Sequence, residues 1–305
     1  YLIEKMQENY HFDNRYEKVF EMMKAFSNLT FGFYKYKKFT EQMRMEKNVN
    51  FGKVDFSKKL FSFTDSENKI GMDYLLKNKI TNKKFVCLLV RNAEYKISLK
   101  LSKNQLASEE NKHNYMNIDP KIFIPSVQLL IDNEFHIIRM GKGFKEAFPF
   151  KHNNFIDYAI SNDRSDFLDV WLSANCNFFA STSNGIGALP SVFNKPCLFT
   201  SMFPLGRANS WMPKSMYLFR NAKKNGQYLT IKDLIKLDSL FRIESGHYDR
   251  NNINILEDDP DDLCKAFELM INNSNAEFSL SKLNIEFWSK MKIEWDRQLI
   301  IDDSV

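Results

Sequence analysis

The feature that most constrains this chain is a series of short apolar runs, Phe85 to Val90, Phe135 to Arg139, Phe155 to Tyr158, Asn177 to Ser181 and Cys197 to Ser201, set apart by amphipathic stretches of helical period. Runs this short that do not alternate with polar residues suit strands buried on both faces. Helices between them supply the long connections that parallel neighbours require. The expected fold class is therefore α/β: a Rossmann-like parallel sheet with helices on both faces. The connecting helices are expected at about Asp119 to Ile131, Ser165 to Ala174 and Gly185 to Phe193. In the first, Asp119-Pro120 reads as a start, and Pro125 must lie in the opening turn or mark the true beginning.

The flanks have a different texture. Residues 1–80 form a Lys-, Glu-, Met- and Phe-rich lead-in with helical spacing around Tyr16 to Phe26, and they read as a helical and incomplete N-terminal portion. Within it Thr64, followed by Asp65 and Glu67, is an N-cap signal for a helix from about Asp65 to Leu76. Residues 81–272 hold the α/β pattern. Near their end, Thr230 with Asp233 caps a further helix to Leu237, and Ile253 to Ile271 reads as a short strand, an acidic turn at Asp258 to Asp262 and an amphipathic helix. Residues 273–305 carry Phe287, Trp288, Met291, Ile293 and Trp295 at roughly helical spacing, as a C-terminal helix that packs back on the N-terminal portion.

Charge and composition remove several function classes. The 305 residues include 43 basic and 38 acidic side chains, a net charge of +5, with no dense basic run interleaved with aromatics. Nucleic acid is therefore not an expected partner, whereas a polyanionic glycan or an anionic membrane face suits a mildly basic surface. No apolar run approaches the roughly 18 residues that a membrane span needs. Cys87, Cys176, Cys197 and Cys264 are widely spaced and mostly sit in or beside apolar runs, as small buried hydrophobes of a reducing compartment do. The five histidines form no metal-ligand spacing, so no metal site is expected.

Ligands of open parallel sheets lie beyond the carboxyl ends of the strands, so the residues leaving each run carry the candidate chemistry. The first run leaves through Arg91-Asn92, the second through Arg139-Met140-Gly141, and the fourth through Ser181-Thr182-Ser183-Asn184-Gly185-Ile186-Gly187. A hydroxyl- and glycine-rich turn entering a helix aims N–H groups at whatever lies above the sheet, which suits phosphate; it is also how an ordinary capped helix begins. A guanidinium fork at Arg91 or Arg139 matches diphosphate oxygens, or else pairs with a carboxylate such as Asp166 or Asp169. Phe203 to Ser215, containing Trp211, is expected to be a long loop and a candidate lid.

Six segments in order, FVCLLVRN (85–92), HNYMNIDPKIFIPSVQLL (113–130), HIIRMG (136–141), FIDY (155–158), SDFLDVWLSANCNFFASTSNGIGALPSVFNKP (165–196) and YLTIKDLI (228–235), resemble an uncharacterised family of bacterial glycosyltransferases with the two-lobed GT-B arrangement. The resemblance implies a transferase, without a bound cofactor or metal, that moves a sugar from a nucleotide-sugar donor to a glycan or lipid-linked acceptor in surface polysaccharide or glycoconjugate assembly. It implies a cytoplasmic protein, with peripheral association at the inner face of the membrane. Residues 1–80 become the remnant of an acceptor-side lobe and residues 81–272 the donor lobe. By position, Arg91, Arg139, Gly141, Ser183, Asn184 and Gly185 would hold donor phosphates, while Asp157, Tyr158 and Trp211 would reach the nucleoside. Arg91 would act on the departing diphosphate, with Glu94 or His113 activating the acceptor. The chain departs from the family at Asn92, where an acidic residue is usual, and at Met116, where an arginine is usual. Those departures keep two other readings open: a non-catalytic nucleotide- or glycan-binding module, and another GT-B enzyme such as a sugar-nucleotide epimerase.

Overall fold

The structure, a computed structural model, describes residues 62–91, 114–182, 186–208, 212, 214–274, 282, 284–291 and 293. The chain divides into two compact units, Tyr1–Lys53 with Ser289–Val305, and Val54–Trp288. The N-terminal helical pattern around Tyr16 to Phe26 lies outside the described residues. The second unit contains the sheet.

All five apolar runs form strands: β1 (Phe85–Leu89), β2 (His136–Arg139), β3 (Phe155–Ile156), β4 (Phe178–Thr182) and β5 (Cys197–Met202). A sixth, β6 (Ser215–Phe219), completes an all-parallel sheet in the order β3-β2-β1-β4-β5-β6. This is the Rossmann order. β6 begins at the end of the stretch expected to be a loop. It is an edge strand whose five residues are all half-buried, so it lacks the unbroken apolar character that marks the inner strands.

Side chains alternate between two cores, as a pleated sheet requires. On one face Val86, Leu88, Ile137, Phe178, Ala180 and Leu198 meet Phe123, Val127, Leu130, Leu263 and Phe267. The helices there are α2 (Ile124–Asp132) and, late in the chain, Pro260–Asn273. On the other face Phe85, Cys87, Leu89, Ile138 and Phe179 meet Tyr74, Leu75, Leu168, Trp171 and Leu172 of α1 (Asp65–Lys77) and α3 (Asp166–Asn175). Burial on both sides is why β1 reads as one apolar run.

α1 starts where its cap predicts. The Thr64 hydroxyl accepts the Glu67 N–H at 3.4 Å, and the Glu67 carboxylate accepts the Thr64 N–H at 2.6 Å. Gly71 allows the helix to lie on Trp171, since a Cβ there would stand 2.1 Å from the indole ring. α1 belongs to the same compact unit as the sheet, Val54–Trp288. Asp119 caps a 3-10 turn, Pro120–Phe123, that passes into α2 with Pro125 in its first turn.

The helix expected over Gly185 to Phe193 is a correction. A 3-10 turn, Ile186–Ala188, precedes a four-residue helix α4 (Leu189–Val192). Gly187 and Pro190 are poor helix formers, and Gly187 is instead packed on the sheet, where a Cβ would meet the Ser181 hydroxyl at 2.7 Å.

β7 (Ala222–Lys224), β8 (Gln227–Tyr228) and β9 (Ile253–Ile255) form a small antiparallel sheet. Asn225 and Gly226, both at positive φ, make its two-residue hairpin turn. Between β8 and β9 lie α5 (Ile231–Lys236), capped by Thr230 and Asp233 as expected, and α6 (Ser245–Arg250). Asp259 then caps α7 (Pro260–Asn273), with Asp261 and Asp262 in its first turn. Of the C-terminal segment, Phe287 and Trp288 lie against Phe219 and Tyr217 of β6. Among the described residues no helix is long and apolar enough to cross a membrane.

Candidate functional site

The strand order reverses between β1 and β4, and in sheets of this order ligands lie beyond the carboxyl ends of the strands at that point. Arg91 stands at this point. Its main-chain N–H donates to the Thr182 hydroxyl at 2.8 Å, and its carbonyl accepts from Ile118 N–H at 3.2 Å. Both bonds fix the backbone from which the guanidinium extends.

A second guanidinium comes from beyond β5. Arg207 ends the 3-10 turn Leu205–Arg207, whose Gly206 N–H donates to the Leu240 carbonyl at 2.9 Å. Phe241 covers Gly206 so closely that a Cβ would lie 1.8 Å from its ring. Arg91 Nη1 is 2.8 Å and Arg207 Nη1 3.8 Å from the sulfur of buried Met116, so the two nitrogens are at most about 6.6 Å apart. Burial lowers the pKa of Arg91, and the neighbouring charge of Arg207 lowers it further.

The turn that holds Met116, Asn114–Met116, is latched from below. Asn114 N–H donates to the Ser245 hydroxyl at 3.0 Å, and the Tyr115 hydroxyl donates to the Ile243 carbonyl at 3.2 Å. Tyr115, Phe203 and Tyr248 form an edge-to-face cluster with centroids 5.2 to 6.2 Å apart. Burial raises the Tyr115 hydroxyl, opposed by the charges of Arg207 and Arg91. Arg220, itself buried, donates to the carbonyls of Tyr115, Leu256 and Ile255. Beside it the Ser201 hydroxyl donates to Asp258 at 2.6 Å, and Ser201 takes a left-handed φ of 53° where the β5–β6 register shifts. Ser201, Arg220 and Asp258 thus join the two sheets beneath the crevice.

Other expected ligand groups have different employment. Arg139 is 4% exposed, and its Nη1 donates to both Asp157 carboxylate oxygens at 3.0 Å and to the Glu146 carbonyl at 3.0 Å, with Phe144 stacked 4.3 Å from the guanidinium. Asp157 also accepts the Phe148 N–H at 2.8 Å. The two residues expected to take donor phosphate and nucleoside therefore pair with each other, because a buried guanidinium needs a near anion. Gly141 is buried with φ at 137°, its Cβ position filled by Phe144 and its carbonyl accepting from Arg164 at 3.0 Å. Tyr158 is fully buried, its hydroxyl donating to the Ser165 carbonyl and accepting the Ser165 N–H, both at 3.0 Å, so it is a core residue and not a nucleoside contact. Asp166 and Asp169 pair with Arg164 and not with Arg91. Glu94, His113, Ser183, Asn184, Gly185 and Trp211 lie outside the described residues.

Arg207 and Tyr115 escape the sequence reading. The rule that selects Arg91, a cation just past a buried strand, also applies to Arg207, but the intervening Phe-Pro-Leu-Gly makes that stretch look like loop. Tyr115 carries no local signal at all. Among the described residues no group of three or more His, Cys, Asp or Glu could hold a metal ion. Among the described residues the arrangement brings two guanidinium groups near one sulfur, and guanidinium groups are suited to binding an oxyanion. Comparison with protein-family models, curated proteins and solved structures finds no match for this chain.

Proposed function

We propose that the chain is a glycosyltransferase of the GT-B type, which moves a sugar from a nucleotide donor to a glycan or lipid-linked acceptor in surface polysaccharide assembly at the cytoplasmic face of the membrane. The observation that carries this reading is the position of Arg91, fixed by Thr182 at the switch point of a Rossmann-ordered sheet. Nucleotide phosphates sit at that point in sheets of this order. In sugar transfer the charge that grows in the transition state is on the departing diphosphate, and a preorganised guanidinium lowers the barrier by meeting it.

A non-catalytic nucleotide-binding module is the second reading. It is favoured by Met116, which puts a buried thioether where the resembled family has a charge. One experiment addresses both. Thermal unfolding of the protein is followed with UDP-, GDP-, ADP-, CMP- and TDP-linked sugars, for wild type and Arg91→Ala. A ligand at a hundredfold excess over its dissociation constant stabilises the native state by about 2.7 kcal/mol. Stabilisation by one nucleotide class, lost in the variant, together with slow release of free nucleotide diphosphate, supports the transferase. Stabilisation without any release supports the module, and no stabilisation by any donor sinks both readings.

A further inference from the structure

We infer that the β7–β8 hairpin and the exposed side chains of α5 form a docking surface for an anionic lipid bilayer. The inference rests on the transferase reading only for which membrane is met; the surface itself follows from charge and exposure. The strand order β8-β7-β9 leaves β8 at an edge, and at the hairpin tip nothing lies within 4 Å of where a Cβ of Gly226 would stand, so the tip faces open space. Lys223 and Tyr228 are direct cross-strand partners, which puts both side chains on one face of the hairpin, and the Lys223 ammonium sits 4.3 Å from the centre of the Tyr228 ring. Tyr228 is 63% exposed. Ile231, 43% exposed, follows three residues later, a length of chain that spans at most about 10 Å.

Residues 221–236 carry four lysines, Lys223, Lys224, Lys232 and Lys236, against a single carboxylate, Asp233. That carboxylate is engaged in its own helix cap, where it accepts the Thr230 N–H at 2.9 Å and the Thr230 hydroxyl at 2.7 Å. On its other side Lys223 faces the neutral Asn254 of β9. Each lysine held near an anionic lipid surface strengthens binding about fivefold, an effect that falls away within a Debye length. Charge alone suits any polyanion. What selects a bilayer is the exposed aromatic and aliphatic pair beside the lysines. A tyrosine places its ring at the depth of the lipid headgroups with its hydroxyl toward water, and lysine stems lie along apolar surface while their ammonium groups reach the phosphates. A dissolved polyanion gives Ile231 nothing apolar to enter, whereas a bilayer does.

The test is cosedimentation of the full chain with vesicles of phosphatidylcholine alone and of phosphatidylcholine with phosphatidylglycerol, with urea unfolding to verify that each variant is folded. Wild type is expected to bind the anionic vesicles and to ignore the neutral ones. Lys223→Glu with Lys224→Glu should lower that binding about tenfold or more, and so should Lys232→Glu with Lys236→Glu, whose positions on α5 are exposed. Tyr228→Ser leaves the charge unchanged and should lower it severalfold. Lys121→Glu with Lys151→Glu makes the same change of charge on exposed residues outside the hairpin and should bind like wild type. No binding to anionic vesicles, or an equal loss in the Lys121 and Lys151 variant, overturns the docking surface. A Tyr228→Ser variant that binds vesicles like wild type also overturns it, and assigns the lysines to a soluble polyanion. The two proposals fail separately. Hairpin-dependent vesicle binding with no response to any sugar nucleotide keeps the docking surface and removes the transferase, whereas sugar-nucleotide stabilisation without vesicle binding does the reverse.

Discussion

The main-chain N–H of Arg91 donates to the hydroxyl of Thr182, 2.8 Å away and 91 residues later in the chain. This bond ties the exits of β1 and β4 together where the strand order reverses, so the backbone that carries the Arg91 guanidinium is set by a residue on the neighbouring strand. Thr182 is 1% exposed.

Thr182→Val keeps shape and removes the acceptor. Leaving a buried N–H without its partner costs about 1 to 3 kcal/mol, and the loosened Arg91 should weaken sugar-nucleotide binding as well. Urea unfolding and calorimetric titration read the two effects, and Thr182→Ser should restore both. A valine variant as stable and as avid as wild type would show that the bond contributes nothing.

Gly206→Ala places a methyl group 1.8 Å from the Phe241 ring, which must move. Overpacking of this kind costs about 1 to 3 kcal/mol. A second change, Phe241→Leu, should recover much of the loss. A Gly206→Ala variant as stable as wild type in urea unfolding would show that the turn accommodates a side chain there.

Arg139 and Asp157 make a pair whose side chains are 5% and 19% exposed, and no ligand is needed to account for them. Asp157→Ala strands a buried guanidinium and should cost about 3 to 5 kcal/mol, while Arg139→Met with Asp157→Leu should recover most of that loss. Neither change should alter affinity for a phosphate ligand in protein that remains folded. Loss of binding in the stable double variant would return the pair to the site.

Asp258 gives a pH signature. Burial raises its carboxyl above the ordinary value of 3.8, against the Ser201 hydrogen bond and the Arg220 charge, which lower it. The folded state therefore holds this proton more firmly than the unfolded chain does. The associated stability is fully present below the unfolded value and is lost as pH rises through the folded one. Asp258→Asn cannot ionise, so the stability of this variant relative to wild type should increase as pH rises above the ordinary value of 3.8. A difference that stays constant over that range, measured by urea unfolding at several pH values, would count against a buried and ionising Asp258.

Much of the fold is legible because its signals are local. Five buried strands show as apolar runs, and Thr64 and Thr230 announce their helices through a hydroxyl and an acidic residue three positions on. Arg91 is legible as a charge at the end of such a run. β6 is not, since an edge strand buries only part of each residue and the Pro- and Gly-containing lead-in disguises its start. Asn225-Gly226 is a strong hairpin signal, yet the strands on either side are too short and too polar to stand out. The helix after β4 was overestimated because a Gly-rich turn into apolar residues looks like a capped helix even where Gly187 is needed for packing and Pro190 shortens it.

The sequence by itself determined which segments are strands and helices, where the caps fall and that positive charge leaves the first strand, since each depends on neighbours a few residues apart. The tertiary structure decided that Arg139 is used up by Asp157 whereas Arg207 comes to stand beside Arg91 across a shared sulfur. Two arginines leaving two strands look alike in a sequence. That Arg139 meets the carboxylate of Asp157 and that Arg91 approaches the sulfur of Met116 depend on strand order, a long-range property fixed only when both faces of the sheet are covered and the core closes.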